Sequence, residues 1–124
     1  MKPIKTPLAP PAIGPFSQAM QTGNFVFLSG QLGMNLETKA LVPGLEPQIE
    51  QLFKNMMAVL DAAGLGLKDI VKTTVFLSDM NNFATLNTIY ARHFGDHKPA
   101  RSTVQVARLP IDALVEMECI AVRE

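Results

Sequence analysis

The chain has 124 residues, 48% of them apolar, with 11 lysines and arginines balanced by 11 aspartates and glutamates. That length supports one domain, residues 1–124, with a real core, and a formal net charge of zero with scattered basic residues argues against nucleic acid or an anionic membrane as a broad partner. The lone cysteine, Cys119, excludes an internal disulfide, and no segment has the apolar run of a signal peptide or a membrane span, so a cytoplasmic protein is expected.

Pro7 to Pro15 reads as a proline-broken lead-in. Strands are predicted at Ser17–Thr22 and Phe25–Ser29, with Gly23-Asn24 as the turn between them. Pro47 opens a helix over Gln48–Ala63, in which Ile49, Leu52, Phe53, Met56, Val59 and Leu60 recur at helical spacing and Gly64 supplies the stop. Val71–Leu77 is a β-branched strand. A second helix, from about Asn82 to Phe94, carries Phe83, Leu86, Tyr90 and Phe94 on one face, with Gly95 at its end. The last two strands lie within Pro99–Pro110 and Leu114–Val122, and the loop between them, with Pro110 and Asp112, suits a hairpin joining antiparallel neighbours. This order predicts an α+β two-layer sandwich with two helices on one face of a mixed sheet. Phe25–Leu28 and Val75–Leu77 are apolar on both faces, so the face without helices stays apolar and self-association is the simplest cover.

The candidate chemistry sits on the last two strands. Val104 and Val106 alternate with Thr103 and Gln105, and parity then puts Arg101 with Thr103 and Gln105, away from the core. In the next strand Val115, Met117, Cys119 and Ala121 form the apolar face, and Glu116 and Glu118 the other. If both apolar faces meet one core, Arg101 shares the polar face with both glutamates. Such a face reads in two ways: as a cross-strand ion pair worth ~0.2–1 kcal/mol, or as a site where the guanidinium fork holds an acidic substrate while a glutamate handles water or protons. Other chemistry is thinly represented. His93 and His97 are separated by Gly95 at the predicted helix end, which disfavours a shared metal, and Gly64-Leu65-Gly66 reads as a helix stop and not as a phosphate loop. Cys119, on an apolar face, reads as a buried inert thiol.

Ile13-Gly14-Pro15-Phe16-Ser17-Gln18-Ala19, Ser29-Gly30-Gln31, Ala62-Ala63-Gly64, Val71-Lys72-Thr73-Thr74-Val75, Pro99-Ala100-Arg101-Ser102, Val106-Ala107-Arg108-Leu109-Pro110 and Glu116-Met117-Glu118 occur in this order. Together they resemble the RidA family, the reactive intermediate deaminases also called YjgF or L-PSP proteins, over nearly the whole chain. The resemblance implies a chorismate-mutase-like fold and a homotrimer with sites in the clefts between subunits. The activity it implies is hydrolysis of 2-imino acids and their 2-enamine tautomers to 2-keto acids and ammonia, with no cofactor and no metal. By position it implies that Arg101 grips the substrate carboxylate and that Glu116, not Glu118, orients or activates water. It also implies that Gly30, beside Ser29, lines the pocket through its backbone, and that Phe83 and Asn87 lie near the neighbouring site. The competing reading of Ser29 is a strand-end hydroxyl.

Two positions depart from the family pattern. Phe16 stands where many members have tyrosine, which removes a phenol able to hydrogen-bond substrate or water. Thr103 stands where many have cysteine. Both keep approximate shape, so the implied activity stands while the substrate range is put in question. Two other functional classes share this sequence: a non-catalytic module that binds 2-keto or amino acids, which has less use for Glu116, and an endoribonuclease, which the L-PSP name records and which the absence of a basic stripe argues against.

Overall fold

Apolar periodicity decides the two layers. In the computed structural model, which describes residues 1–124, strands β1 (Lys2–Ile4), β2 (Ala19–Thr22), β3 (Phe25–Leu32), β4 (Ile70–Leu77), β5 (Ala100–Gln105) and β6 (Val115–Val122) form one sheet. Helices α1 (Leu45–Ala62) and α2 (Phe83–Phe94) pack on it. The strand order is β1-β2-β3-β6-β4-β5. Every neighbouring pair is antiparallel except β4 and β5, which are parallel because α2 carries the chain back between them.

Pro47 lies in the first turn of α1, where its missing N–H has no intrahelical acceptor to lose. At the other end Gly64 adopts φ 74°, a left-handed turn that lets the Leu65 N–H close on the Leu60 carbonyl at 2.9 Å. Between these stops Ile49, Leu52, Phe53, Met56, Val59 and Leu60 are fully buried. They meet the inward residues of the sheet, among them Val26, Val75, Val115, Met117 and Ala121. Each such side chain contributes ~1.5–3 kcal/mol by leaving water. The helix-free face is as apolar as the sequence pattern predicts: Phe25, Phe27 and Val104 are 46%, 44% and 43% exposed.

The structure corrects two sequence expectations. First, β5 and β6 are not a hairpin. β6 inserts between β3 and β4, and β5 lies outside β4 at the sheet edge. The connection passes the end of β4, where the Ser78 N–H donates to the Leu114 carbonyl at 3.2 Å. Burial decides this order: the Val115, Met117, Cys119 and Ala121 face needs a central place beneath α1, whereas β5, exposed at Ala100, Ser102, Val104 and Gln105, tolerates an edge.

Second, the faces of β5 are reversed. Arg101 pairs with buried Thr73 and Thr103 with buried Val75, so Arg101 and Thr103 face the helix layer, while Val104 joins Phe76 on the open face. Phe76 in turn pairs with Glu116. Arg101 and Glu116 of one chain therefore lie on opposite faces of the sheet. The cause is aromatic: the Arg101 guanidinium carbon sits 4.7 Å from the Tyr90 ring centre and 5.5 Å from that of Phe83, a cation–π seat that draws the side chain toward the helices.

Candidate active site

A β-bulge starts the site. Along β3, Leu28 pairs with Cys119 and Gln31 with Met117, so Ser29 and Gly30 together occupy the space opposite Glu118. The Ser29 hydroxyl donates to the Ser17 carbonyl at 2.6 Å and its N–H to the Gln18 carbonyl at 3.0 Å. Its side chain is thus a tether that fixes the bulge to the lead-in segment, in keeping with the strand-end reading. Gly30 is needed for space. A Cβ there would overlap the Glu116 carboxyl at Oε1 and lie 2.9 Å from its Cδ, so only glycine leaves room for that carboxyl beside the bulge.

Burial, and secondarily the charge of Glu118, pushes the Glu116 carboxyl above its ordinary range. No cation of the same chain offsets this, because its ion pairs are Arg92–Glu50, His93–Glu50 and Arg108–Asp112. A carboxyl held in this way is suited to taking and returning a proton. It opens into a cleft of about 680 Å³ that Phe16, Ser29, Gly30, Met34 and Ile111 also line.

One contributor escaped the sequence reading. The prolines of the lead-in lack N–H groups, so the segment cannot satisfy its own carbonyls. Buried Gln18 supplies what is missing. Its Nε2 donates to the carbonyls of Pro10 at 2.9 Å and Thr6 at 3.1 Å, and its Oε1 accepts from the Thr6 N–H at 2.7 Å. This holds Pro10–Ile13 as a wall of the cleft. The readable signal was an amide side chain next to a proline-rich stretch.

A second cluster lies on the helix side, at the β5 edge. Arg101 has no carboxylate partner and rests on Tyr90 and Phe83. The Tyr90 hydroxyl is 2.7 Å from Thr73 Oγ1, and burial raises the pKa of its phenol. Thr103 follows Arg101 on the same face of β5, and Asn87 follows Phe83 by one turn of α2. Thr103 Oγ1 and Asn87 Oδ1 are both buried with no hydrogen-bond partner. An unmet buried polar atom costs ~1–3 kcal/mol, so these two atoms call for a partner that the single chain does not supply. The structure thus brings Phe16, Ser29, Gly30 and Glu116 together in the cleft, and Phe83, Asn87, Arg101 and Thr103 together at the edge. It does not unite the two groups within one chain.

The remaining candidates have structural duties. His93 Nε2 lies 2.5 Å from Glu50 Oε1 with its ring stacked on Phe53, and His97 Nε2 lies 2.7 Å from the Ile70 carbonyl. No three histidine, cysteine, aspartate or glutamate side chains gather as a metal site would require. The Cys119 thiol is buried and pushed up to about 12, out of reach as a nucleophile at neutral pH. No helix is long and apolar enough to cross a membrane.

The sequence profile of the endoribonuclease L-PSP family matches residues 6–123. The chain belongs to this family. It is 47% identical over 125 residues to a 2-iminobutanoate/2-iminopropanoate deaminase of Salmonella typhimurium, covering 98% of each chain. RidA from the Antarctic bacterium Psychrobacter superposes with a TM-score of 0.96 at 44% identity, covering 99% of this chain and 100% of that one. TdcF of E. coli, solved with bound serine, superposes at 0.95 with 44% identity over the whole of both chains. These likenesses extend the motif resemblance to the full fold, two helices on a mixed six-stranded sheet.

Proposed function

We propose that this protein is a deaminase that hydrolyses 2-imino acids, and their 2-enamine tautomers, to 2-keto acids and ammonia. The observation that carries the proposal is Glu116: a carboxyl without a cationic partner, lifted in pKa by burial, in a cleft beside a bulge whose glycine leaves room for it. The deaminase name of the Salmonella relative supports the reaction class, and the serine in TdcF supports a small amino-acid-like ligand.

In this mechanism water adds to the imine carbon, forming a C–O bond, while Glu116 accepts the proton that water loses. The same carboxyl returns that proton to nitrogen, giving a carbinolamine, and then carries the carbinol hydroxyl proton to the amino group, so that the C–N bond breaks as C=O forms and keto acid and ammonia leave. Arg101 holds the substrate carboxylate through its fork, which fixes the imine carbon relative to the water. Imines hydrolyse unaided, so binding, orientation and proton transfer suffice, and no cofactor or metal enters the scheme.

Because Arg101 and Glu116 lie on opposite faces of one sheet, the scheme requires two chains per site. The Arg101 edge of one subunit meets the Glu116 cleft of the next, and a homotrimer closes such head-to-tail contacts into a ring. That assembly also covers Phe25, Phe27 and Val104. An endoribonuclease reading is favoured by names only, that of the family and those of structural relatives from Thermotoga maritima and Entamoeba histolytica, and the balanced, scattered charge of the chain weighs against it. The test is a coupled assay in which a dehydratase makes imine from threonine or serine and keto-acid formation is timed with and without this protein. Acceleration is expected. Its absence would overturn the proposal, and salt-sensitive RNA cleavage would then favour the endoribonuclease reading.

A further inference from the structure

The loop between β5 and β6 holds an apolar side chain in a costly backbone state. Ile111 has φ 49° and ψ 29°, and Asp112 has φ 58°. A β-branched residue rarely enters this left-handed region, because its Cβ crowds the following carbonyl oxygen. Several bonds hold the loop there. The Arg108 guanidinium donates to both carboxylate oxygens of Asp112, at 2.8 and 3.3 Å. The N–H groups of Asp112 and Ala113 donate to the carbonyls of Leu109 and Pro110, each at 3.1 Å. Beyond them the Leu114 N–H donates to the buried Gln48 amide oxygen at 3.0 Å.

The strain is not compensated by core packing. Ile111 remains 56% exposed, and it lines the cleft that holds Glu116. Strain of this kind persists where surrounding structure over-determines it, typically at ligand-contacting positions. The cleft agrees in character. Within one chain Glu116 is its only charged lining residue, and Ile13, Phe16, Leu32 and Met34 give it further apolar wall.

We infer that Ile111 is a specificity-determining residue that presents an apolar wall to the substrate side chain, so that this protein favours 2-imino acids with bulky apolar side chains. Imines formed by oxidation of leucine or phenylalanine fit the wall; those from alanine leave it uncovered, and those from glutamine set a polar amide against it. The inference rests on the deaminase reading above. It goes further by assigning selectivity to a residue outside the proton-transfer and carboxylate-binding groups.

The experiment uses an amino-acid oxidase to release imines from leucine, phenylalanine, alanine and glutamine, with semicarbazide trapping whatever imine survives. Activity is read as loss of semicarbazone, for wild type and for Ile111→Asn, Ile111→Gly and Ile111→Val. Asparagine and glycine accept left-handed backbone, so the loop keeps its shape, and circular dichroism with thermal melting checks the fold. The wild-type ratio of kcat/KM for leucine-derived over alanine-derived imine is expected to exceed one clearly. It should fall ~10-fold or more in the asparagine and glycine variants, the scale of one methylene in an apolar pocket, while valine retains most of it. A wild-type profile that is flat, or that favours the glutamine-derived imine, overturns the specificity assignment and leaves the deaminase reading standing, as does a ratio unchanged in the folded asparagine and glycine variants. If wild type accelerates no imine, the deaminase reading falls and the specificity assignment falls with it.

Discussion

Gly30→Ala is the sharpest probe of the site, because it changes one methyl group and nothing in the backbone. Gly30 is not among the positive-φ glycines, so alanine meets no conformational penalty there. The new Cβ would lie 2.9 Å from Glu116 Cδ and 3.1 Å from its Cγ, with Oε1 closer still, whereas ordinary contact begins at 3.4 Å. The carboxyl must withdraw, and for Oε1 the retreat is roughly 1 Å, a misplacement that costs ~10²-fold in rate when it falls on a reacting group. The side chain is flexible at this end, so the melting temperature should change little. The assay is the dehydratase-coupled hydrolysis described above, run beside a crystal structure of the variant. If that structure shows the carboxyl displaced and the rate stays at the wild-type value, Glu116 does not act from the position found here.

Three further outcomes follow from the same geometry. Arg101→Ala loses both charge and fork and Arg101→Lys loses the fork, so each should cut imine hydrolysis sharply while circular dichroism stays native; an alanine variant as fast as wild type would end the carboxylate-anchor role. Glu116→Gln should cost ~10²–10⁴-fold and Glu118→Gln much less, measured after each variant is shown to assemble; the opposite order would transfer the proton-handling role to Glu118. Burial raises the Glu116 carboxyl above its ordinary 4.5, so its contribution to stability is fully present below that value and is lost as pH rises through the folded-state value. Glu116→Gln should therefore melt increasingly later than wild type as pH is raised from below 4.5 toward neutrality, and a difference that shrinks over that range would contradict the assigned direction.

Elements with one strongly apolar side were readable from sequence. The faces of α1 and β6 stood as expected because each lies centrally, where inward residues must be apolar: Ile49, Phe53, Val115 and Met117 are all fully buried. The edge strand was not readable in the same way. Alternation along β5 was correct, but the assumption that its valines mark the core failed. Val104 serves an open face that is itself apolar, and the Arg101 side chain can lie along aromatic rings. The hairpin expectation failed for a related reason: chain adjacency favours pairing β5 with β6, whereas burying the β6 face requires it to sit between β3 and β4. The site residues were found by motif, yet their division between two faces was invisible until the sheet order was known. Gln18 was missed because its task is visible only once the carbonyls of Thr6 and Pro10 are in position.

The bulge in β3 has a consequence for how this protein can drift. Pairing with β6 is regular up to Leu28 and resumes at Gln31, with the inward phase unchanged on both sides. Loss of a single codon, for Ser29 or Gly30, would convert this stretch to an uninterrupted ladder, with Val26, Leu28 and Gln31 still pointing inward. The ladder to β6 would close without the extra residue, whereas the space beside the Glu116 carboxyl is made by it. On the proposed mechanism, one in-frame deletion would leave a chain that keeps Arg101 at the β5 edge but loses the place of the Glu116 carboxyl. If the deaminase reading holds, the step from a catalyst to a mere receptor for small acids is, in this architecture, a single deletion.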